Sequence, residues 1–318
     1  TVYPDGFAIR KLVAWPGNES DFGGNPNMWE VLEFIIINGD GTTPEETLEG
    51  EVFTIQNERG DTVPFQREGS VALCLKYPQL AEWNIYIGRV YVAKRPDPFV
   101  IFPRDRRLFP FTTCPHCGKD HPHFTCFGLL EGKYYPAWPH WPMYPKEDFV
   151  GGLPRGAEGT ENMATHTSFV SCQFSWAFDG KVPCVSPQRP TTWLFLTGAT
   201  ERGSSYLREL AKSWLNPAKI TVSRGGERRI LYEGYSYSDR AYIFRGIGGG
   251  SVEFTMEPMV KVINPVFIIN QWANPEIAIR LNGEKLGEEE YRANLSGEDL
   301  IIWVNREITE RTNIEIRS

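Results

Sequence analysis

Residues 51–66 read EVFTIQNERGDTVPFQ. Two β-rich arms, 51–56 and 62–66, flank Asn57-Glu58-Arg59-Gly60-Asp61. A polar, glycine-containing break between two such arms predicts an antiparallel hairpin. The same pattern recurs in both directions along the chain. Residues 84–93 alternate cleanly through Ile85, Ile87, Val90 and Val92, and residues 29–37 form the nearly continuous apolar run of a central sandwich strand. Further strands are predicted near 6–15, 71–77 (with Cys74 as a buried thiol), 99–102, 192–198, 220–222, 229–232, 241–244 and 251–256. Residues 169–178 and 181–185 read as arms of another hairpin, around Asp179-Gly180, with Cys172 and Cys184 placed for a cross-strand disulfide.

Only one stretch has a helical period. Leu207, Leu210, Ala211 and Trp214 fall at i, i+3, i+4 and i+7, which puts one apolar stripe on a helix over 205–215. Ser204 or Ser205 can cap it, and Asn216-Pro217 ends it. Short strands separated by turns therefore predict an all-β chain. The expectation is a large antiparallel β-sandwich over 1–261, supersandwich-like, with one short helix. A small β-sandwich should follow over 262–318, where the composition turns acidic and Asn282-Gly283 signals a type I′ hairpin. The glycine run 246–250 lacks the strand–loop–helix context of a phosphate loop and reads as a turn.

Composition narrows the partners. The 24 prolines and 30 glycines in 318 residues favour turns over long helices. A net charge of −7 with no basic run leaves no electrostatic footprint for nucleic acid or an anionic membrane. No apolar stretch approaches the ~20 residues of a membrane-spanning helix. The N-terminal TVYPDGFAIRKLVAW enters a strand pattern at once without a signal-peptide pattern, so the chain is expected to be a mature form or part of something longer.

The chemistry concentrates in residues 109–141, FPFTTCPHCGKDHPHFTCFGLLEGKYYPAWPHW. Cys114, Cys117 and Cys126 are half of the chain's six cysteines, and His116, His121 and His123 stand among them. Thiolates are soft donors, and a Cys-x-x-Cys turn presents two of them to one metal. With Cys126 as the third ligand and His121 as the fourth, the pattern looks like a zinc knuckle one residue short; His123 and His116 are the alternatives. Three thiolates and an imidazole leave no open position, so the zinc is expected to be structural. A disulfide among these cysteines is the competing reading. The following stretch, 134–154, is rich in proline and aromatic residues and reads as a long ordered loop.

Four phrases carry a resemblance: Tyr3-Pro4-Asp5-Gly6 followed by Ala8-Ile9-Arg10-Lys11, Trp138-Pro139-His140-Trp141-Pro142, Thr165-His166-Thr167-Ser168, and Val262-Ile263-Asn264-Pro265-Val266-Phe267. Together they resemble a segment of long bacterial secreted proteins thought to act on polysaccharides. The predicted architecture also looks like the β-sandwich half of polysaccharide lyases. The resemblance implies a secreted or cell-surface protein, possible further domains in a longer chain, and a polysaccharide or oligosaccharide partner.

Lyases of that kind need a base, an acid, and a group that neutralises the uronate carboxylate. His140 and His166 are the two histidines outside the cysteine cluster; Tyr144, or Tyr134 and Tyr135, can supply a phenol. Arg155 and Asn162 can meet the carboxylate, and Trp138 and Trp141 can stack on sugar rings. The structural alternative packs His140 between Trp138 and Trp141 and ties His166 to a loop backbone. At the level of function, the alternatives are a structural cell-surface or filament protein and a non-catalytic carbohydrate-binding module.

Overall fold

The computed structural model describes residues 2–14, 27–37, 48–66, 78–94, 96–105, 108–110, 127–130, 133–136, 149–150, 153–154, 166–176, 190–224, 231–245, 250–272, 274 and 276–318. The described residues are mostly β, as the alternation predicts, with several antiparallel sheets and no barrel among them. Its first part runs β1 (Ala8–Ala14), β2 (Asn27–Ile37), β3 (Leu48–Gln56), β4 (Thr62–Gln66), β5 (Ile85–Val92), β6 (Asp97–Pro103) and β7 (Leu108–Pro110). Two short hairpins follow, β8 (Phe127–Leu130) with β9 (Lys133–Pro136) and β10 (Phe149–Val150) with β11 (Leu153–Pro154). Then come β12 (His166–Trp176) and β13 (Thr191–Thr200). Contacts divide the chain into two compact units, Lys11–Trp193 with Ala199–Glu201, and Thr1–Arg10 with Leu194–Gly198 and Arg202–Ser318. The chain passes from one to the other within β1 and β13.

In the first unit, the hairpin that opened the sequence reading forms as expected. β3 pairs with β4 from Glu51↔Gln66 to Gln56↔Thr62, and its other edge pairs with β5. The turn is built around Asn57, whose Oδ1 accepts the backbone N–H groups of Arg59, Gly60 and Asp61, each at 2.9 Å. One side chain thus satisfies three donors that a tight turn would leave over. β5 and β6 are fastened by Arg89, whose Nε and Nη2 donate to Asp97 Oδ2 at 2.9 and 2.5 Å, while Val92 N donates to Oδ1.

The arm 181–185 of the second expected hairpin lies outside the described residues, and its other arm falls largely within β12. β12 is the middle strand of a three-stranded sheet, β2-β12-β7, and at Cys172 its two edges face Leu32 and Pro110. Among the described residues β2, expected as a central strand, pairs along one edge with β12. Cys184, Cys74 and the predicted strand 71–77 lie outside the described residues.

The second unit contains α1 (Ser204–Leu215), β14 (Lys219–Arg224), β15 (Leu231–Ser236), β16 (Ala241–Arg245), β17 (Ser251–Glu257), β18 (Val262–Ile263), β19 (Val266–Asn270) and β20 (Ala278–Leu281). β21 (Glu284–Lys285), β22 (Tyr291–Ser296), β23 (Asp299–Val304), β24 (Glu307–Ile308) and β25 (Thr312–Arg317) complete it. Two five-stranded sheets, β14-β17-β25-β20-β21 and β15-β16-β19-β23-β22, share one core. Phe254 and Ile316 from the first sheet meet Phe244, Phe267 and Ile302 from the second, all fully buried. Phe254 lies 4.7 Å from Phe244 and 5.2 Å from Phe267, ring centre to ring centre. Each such side chain contributes about 1.5–3 kcal/mol by leaving water.

This arrangement replaces the boundary expected at residue 262. β17, before it, pairs along its length with β25, after it, and β16 pairs with β19. Residues on both sides fill the same core, so 202–261 belongs with 262–318. β16 and β19 are parallel, because the 246–265 connection leaves the sheet, runs as β17 in the facing sheet, and returns. Parallel neighbours require a crossover of about this length.

α1 buries the predicted stripe, Leu207, Leu210, Ala211 and Trp214, together with Tyr206 and Ser213. Its N-cap is Gly203, without a side-chain cap, so Ser204 and Ser205 stand in the first turn and do not cap it. Its last turn closes as expected at Asn216, whose backbone N–H and Nδ2 both donate to Lys212 O at 2.9 Å.

Candidate functional site

The expected site falls almost wholly outside the described residues. That holds for Cys114, Cys117, His121 and Cys126, for His116 and His123, for Trp138, His140, Trp141 and Tyr144, and for Arg155 and Asn162. His166 is described in its backbone: it opens β12, opposite Ile37. Among the described residues no group of three His, Cys, Asp or Glu side chains could hold a metal ion.

The two short hairpins correct the reading of 134–154 as a loop throughout. β8 and β9 pair from Phe127↔Pro136 to Leu130↔Lys133, and β10 and β11 pair Phe149↔Pro154 and Val150↔Leu153. Phe127 directly follows Cys126, and its partner Pro136 stands two residues before Trp138. Pro154 directly precedes Arg155, and its partner Phe149 closes the aromatic stretch that holds Tyr144. Each flank of residues 137–148 is thus paired within its own two-stranded hairpin, one starting at the residue after the last candidate thiolate and the other ending at the residue before the candidate carboxylate binder.

The described polar site that sequence reasoning missed lies in the second unit, at Asp5 and Arg240. Both side chains are buried, at 6% and 5% exposure, and Arg240 Nη2 donates to Asp5 Oδ2 at 2.6 Å. The same oxygen accepts Asn264 Nδ2 at 3.2 Å and Trp303 Nε1 at 3.4 Å, while Asp5 Oδ1 accepts the Phe7 backbone N–H at 3.1 Å. Tyr3 packs with Ala241, Val266 and Trp303, and its hydroxyl donates to the Asp239 carbonyl at 2.5 Å. The guanidinium carbon of Arg240 also stands 5.2 Å from the Tyr3 ring centre and 5.6 Å from that of Phe7. Arg240 and Asn264 reach the carboxylate from left-handed backbone, φ +51° and +47°. Such positions persist in non-glycine residues where the surroundings hold them.

Two of Arg240's nitrogens, Nε and Nη1, are buried without a protein partner. Arg240 also lines a cavity of about 10 Å³ with Ser213, Trp214, Tyr235, Tyr242 and Asn264 among its walls. Tyr235 and Tyr242 meet edge to face, 4.9 Å between ring centres. Burial pushes the phenols of Tyr235 and Tyr242 well above the usual tyrosine range, so both keep their protons at neutral pH. Tyr242's oxygen accepts the Ala218 N–H at 2.9 Å, and Ser213 Oγ accepts the Ile263 N–H at 2.9 Å. The cluster is well suited to hold a carboxylate, and it holds the chain's own. As an acid–base site it is poor, because its phenols are too weakly acidic to exchange protons near neutrality.

Two of the phrases that carry the sequence resemblance meet here, Tyr3-Pro4-Asp5-Gly6 and the Val262–Phe267 stretch, through the Asp5–Asn264 hydrogen bond. Nothing in residue spacing announces a contact across 259 positions. A lone aspartate in a proline–glycine turn was the one available sign. No protein-family model matches the chain, and no curated protein or solved structure proves similar to it.

Proposed function

We propose that this protein binds an acidic polysaccharide and cleaves it by elimination, at a surface built from residues 137–148 and anchored by a structural zinc. Cys114, Cys117 and Cys126 with His121 are the ligands that would hold the metal. Three soft thiolates and one imidazole match tetrahedral zinc and leave it no open position, so its role is to fix the chain and not to activate water. Trp138 and Trp141 offer flat faces to sugar rings, and Pro139, Pro142 and Pro145 restrict φ so that the rings lose little entropy on ordering. Arg155 and Asn162 meet the uronate carboxylate. His140 or His166 removes the proton α to that carboxylate, and Tyr144 protonates the departing glycosidic oxygen.

The observation that carries this reading is the pair of hairpins. The pairs Phe127↔Pro136 and Phe149↔Pro154 bound the aromatic stretch on its two sides, with Phe127 next in sequence to Cys126 and Pro154 next to Arg155, which supports a site that joins these residues. Rigid aromatics beside a titratable group suit a sugar cleft better than a core, where His140 would require a buried partner.

The test is incubation of the purified chain with acidic polysaccharides, read as new ultraviolet absorbance from the unsaturated product and, separately, as retention on immobilised polymer. The expected result is product from the parent, with loss in His140→Ala or His166→Ala and weakened retention in Trp138→Ala. Retention without product makes the chain a non-catalytic module. Neither retention nor product leaves a structural cell-surface or filament role.

A further inference from the structure

We infer that residues 2–14 form an exchangeable arm, and that the socket they fill on the sandwich is an interaction surface for the same arm of a second copy of this chain. Arm residues as far as Arg10 belong to the same compact unit as the sandwich. They enter it as a closed knob. Tyr3 N donates to Phe7 O at 3.1 Å, Gly6 N donates to Tyr3 O at 2.9 Å, and Val2 bridges to Ala8. Phe7 N donates to Asp5 Oδ1, and Gly6 makes the turn at φ +76°. The knob thus meets much of its backbone's hydrogen-bonding need by itself, and can leave and re-enter as a unit. It turns the Tyr3, Asp5 and Phe7 side chains inward and leaves Val2, Pro4 and Gly6 outward.

The socket is matched to that knob. The Arg240 guanidinium finds its carboxylate in Asp5, at 2.6 Å, and ring faces in Tyr3 and Phe7, 5.2 and 5.6 Å from its central carbon. All three are arm residues. From the sandwich, Asn264 Nδ2 and Trp303 Nε1 donate to the same Asp5 oxygen, and the Tyr206 ring lies 6.4 Å from that of Phe7. When the arm leaves, Ala241, Val266 and Trp303 lose the cover of Tyr3, so burial favours refilling the socket. An occupant without a carboxylate would leave the Arg240 charge buried and uncompensated, which selects against it. The fitting partner is an acidic turn between two aromatic side chains, and a second copy of the chain carries one.

The rest of the chain permits the exchange. Among the described residues β1 has one strand neighbour, β13, and stands at the edge of its sheet, while β2 belongs to a different sheet. Residues 15–26, between β1 and β2, include Pro16, Gly17, Gly23, Gly24 and Pro26. A stretch of that length reaches up to ~40 Å when extended, enough to carry an arm to a neighbouring molecule. A swapped arm makes the contacts of a closed one, so concentration decides between them.

Charge reversal tests this on the full chain. Asp5→Arg sets a cation against Arg240, and Arg240→Asp sets an anion against Asp5, so neither variant can seat its own arm or that of its twin. Refolded together from denaturant at ~1 mM, the two chains make both contacts complementary, but only between different molecules. Sedimentation and native mass spectrometry should show a heterodimer, enriched at least ~100-fold over the homodimer of either variant alone, because like charges across such a contact are strongly disfavoured. Folded monomers alone in the mixture overturn the inference. So does a dimer that Asp5→Arg forms by itself, because such a dimer is held elsewhere. If neither variant folds, alone or mixed, the parent decides: refolded at ~1 mM it should yield a dimer that is absent at ~1 μM, and monomer at both concentrations overturns the inference.

Discussion

The sandwich of the second unit and the segment 109–166 are opposites in what holds them and in what can be read from them. In the sandwich, period-2 alternation writes each strand: β17 buries Val252, Phe254 and Met256 and turns its other residues outward. The information is spread over dozens of apolar side chains, and no single one is chemically distinctive. In 109–166 the information sits in a few residue types at tight spacing, with strands only two to four residues long at β8 to β11. The first region is held by burial and the second, on the proposal above, by a metal. The two should therefore respond to different insults.

Metal removal is expected to have the largest effect and to leave the sandwich alone. Structural zinc sites bind with about 10–16 kcal/mol, all of it available to hold the polypeptide around them. Chelation, or Cys117→Ser, should therefore raise hydrogen exchange across 109–154 while peptides from β17, β19 and β25 exchange as before. Equal loss of protection in both regions would break the contrast. Arg240→Met is the reciprocal experiment. It leaves the Asp5 carboxylate buried without its cation, a change that costs about 3–5 kcal/mol. Denaturant unfolding followed by tryptophan emission should show that loss, with zinc content unchanged.

Sequence legibility follows the same division. The hairpin at 51–66, the helix at 204–215, and sandwich strands such as β14, β16 and β17 were readable, because each is a local pattern of alternating or periodic residues. β22 was not: Tyr291, Ala293 and Leu295 alternate with Arg292, Asn294 and Ser296, but its inward residues are only half-buried and its signal is weak. The division at 262 failed because composition shifts at that point while strand pairing runs across it. The long β2–β12 pairing was not legible, because nothing in the spacing of 27–37 and 166–176 announces it. Of the site chemistry, the metal and aromatic residues stood out by type, whereas Asp5, Arg240 and Asn264 did not. A buried ion pair across 235 positions is a property of the folded chain and leaves no trace in spacing.

Alkaline pH should also separate the two regions, with a smaller effect. Burial, then the nearby Asp239 carboxylate, pushes the Tyr3 hydroxyl up to about 12, and burial does the same for Tyr232. The folded state then keeps protons that the unfolded chain releases above pH 10. Stability from these groups is complete below pH 10 and is lost as pH rises towards 12, at up to about 1.4 kcal/mol for each pH unit for buried Tyr3 and less for partly exposed Tyr232, where solvent screens the shift. Unfolding of the sandwich monitored between pH 9 and 12 should steepen through this window, with delayed phenolate absorbance. A flat profile would mean that Tyr3 and Tyr232 ionise like exposed tyrosines.

The smallest effect tests how far a purely local signal reaches. Asn282 and Gly283 form the β20–β21 turn with φ +51° and +86°, the pair of left-handed residues that a type I′ hairpin demands. Asn282 Oδ1 further accepts the Asn313 N–H at 2.7 Å, and Asn282 N donates to Asn313 O at 2.8 Å, so the turn is locked to the start of β25. A Cβ added at Gly283 would meet no atom within 4 Å. Gly283→Ala therefore introduces no clash, and its cost is the left-handed backbone alone, about 1–2 kcal/mol offset in part by the stiffer unfolded chain. The net loss should be roughly 1 kcal/mol, visible as a small drop in the urea midpoint of the sandwich with no change in slope. A loss of several kcal/mol would show that the turn sets the register of the whole sheet and not merely the end of one hairpin. Gly283→Asn, which tolerates positive φ better than alanine, should recover part of the loss and so assign it to backbone conformation.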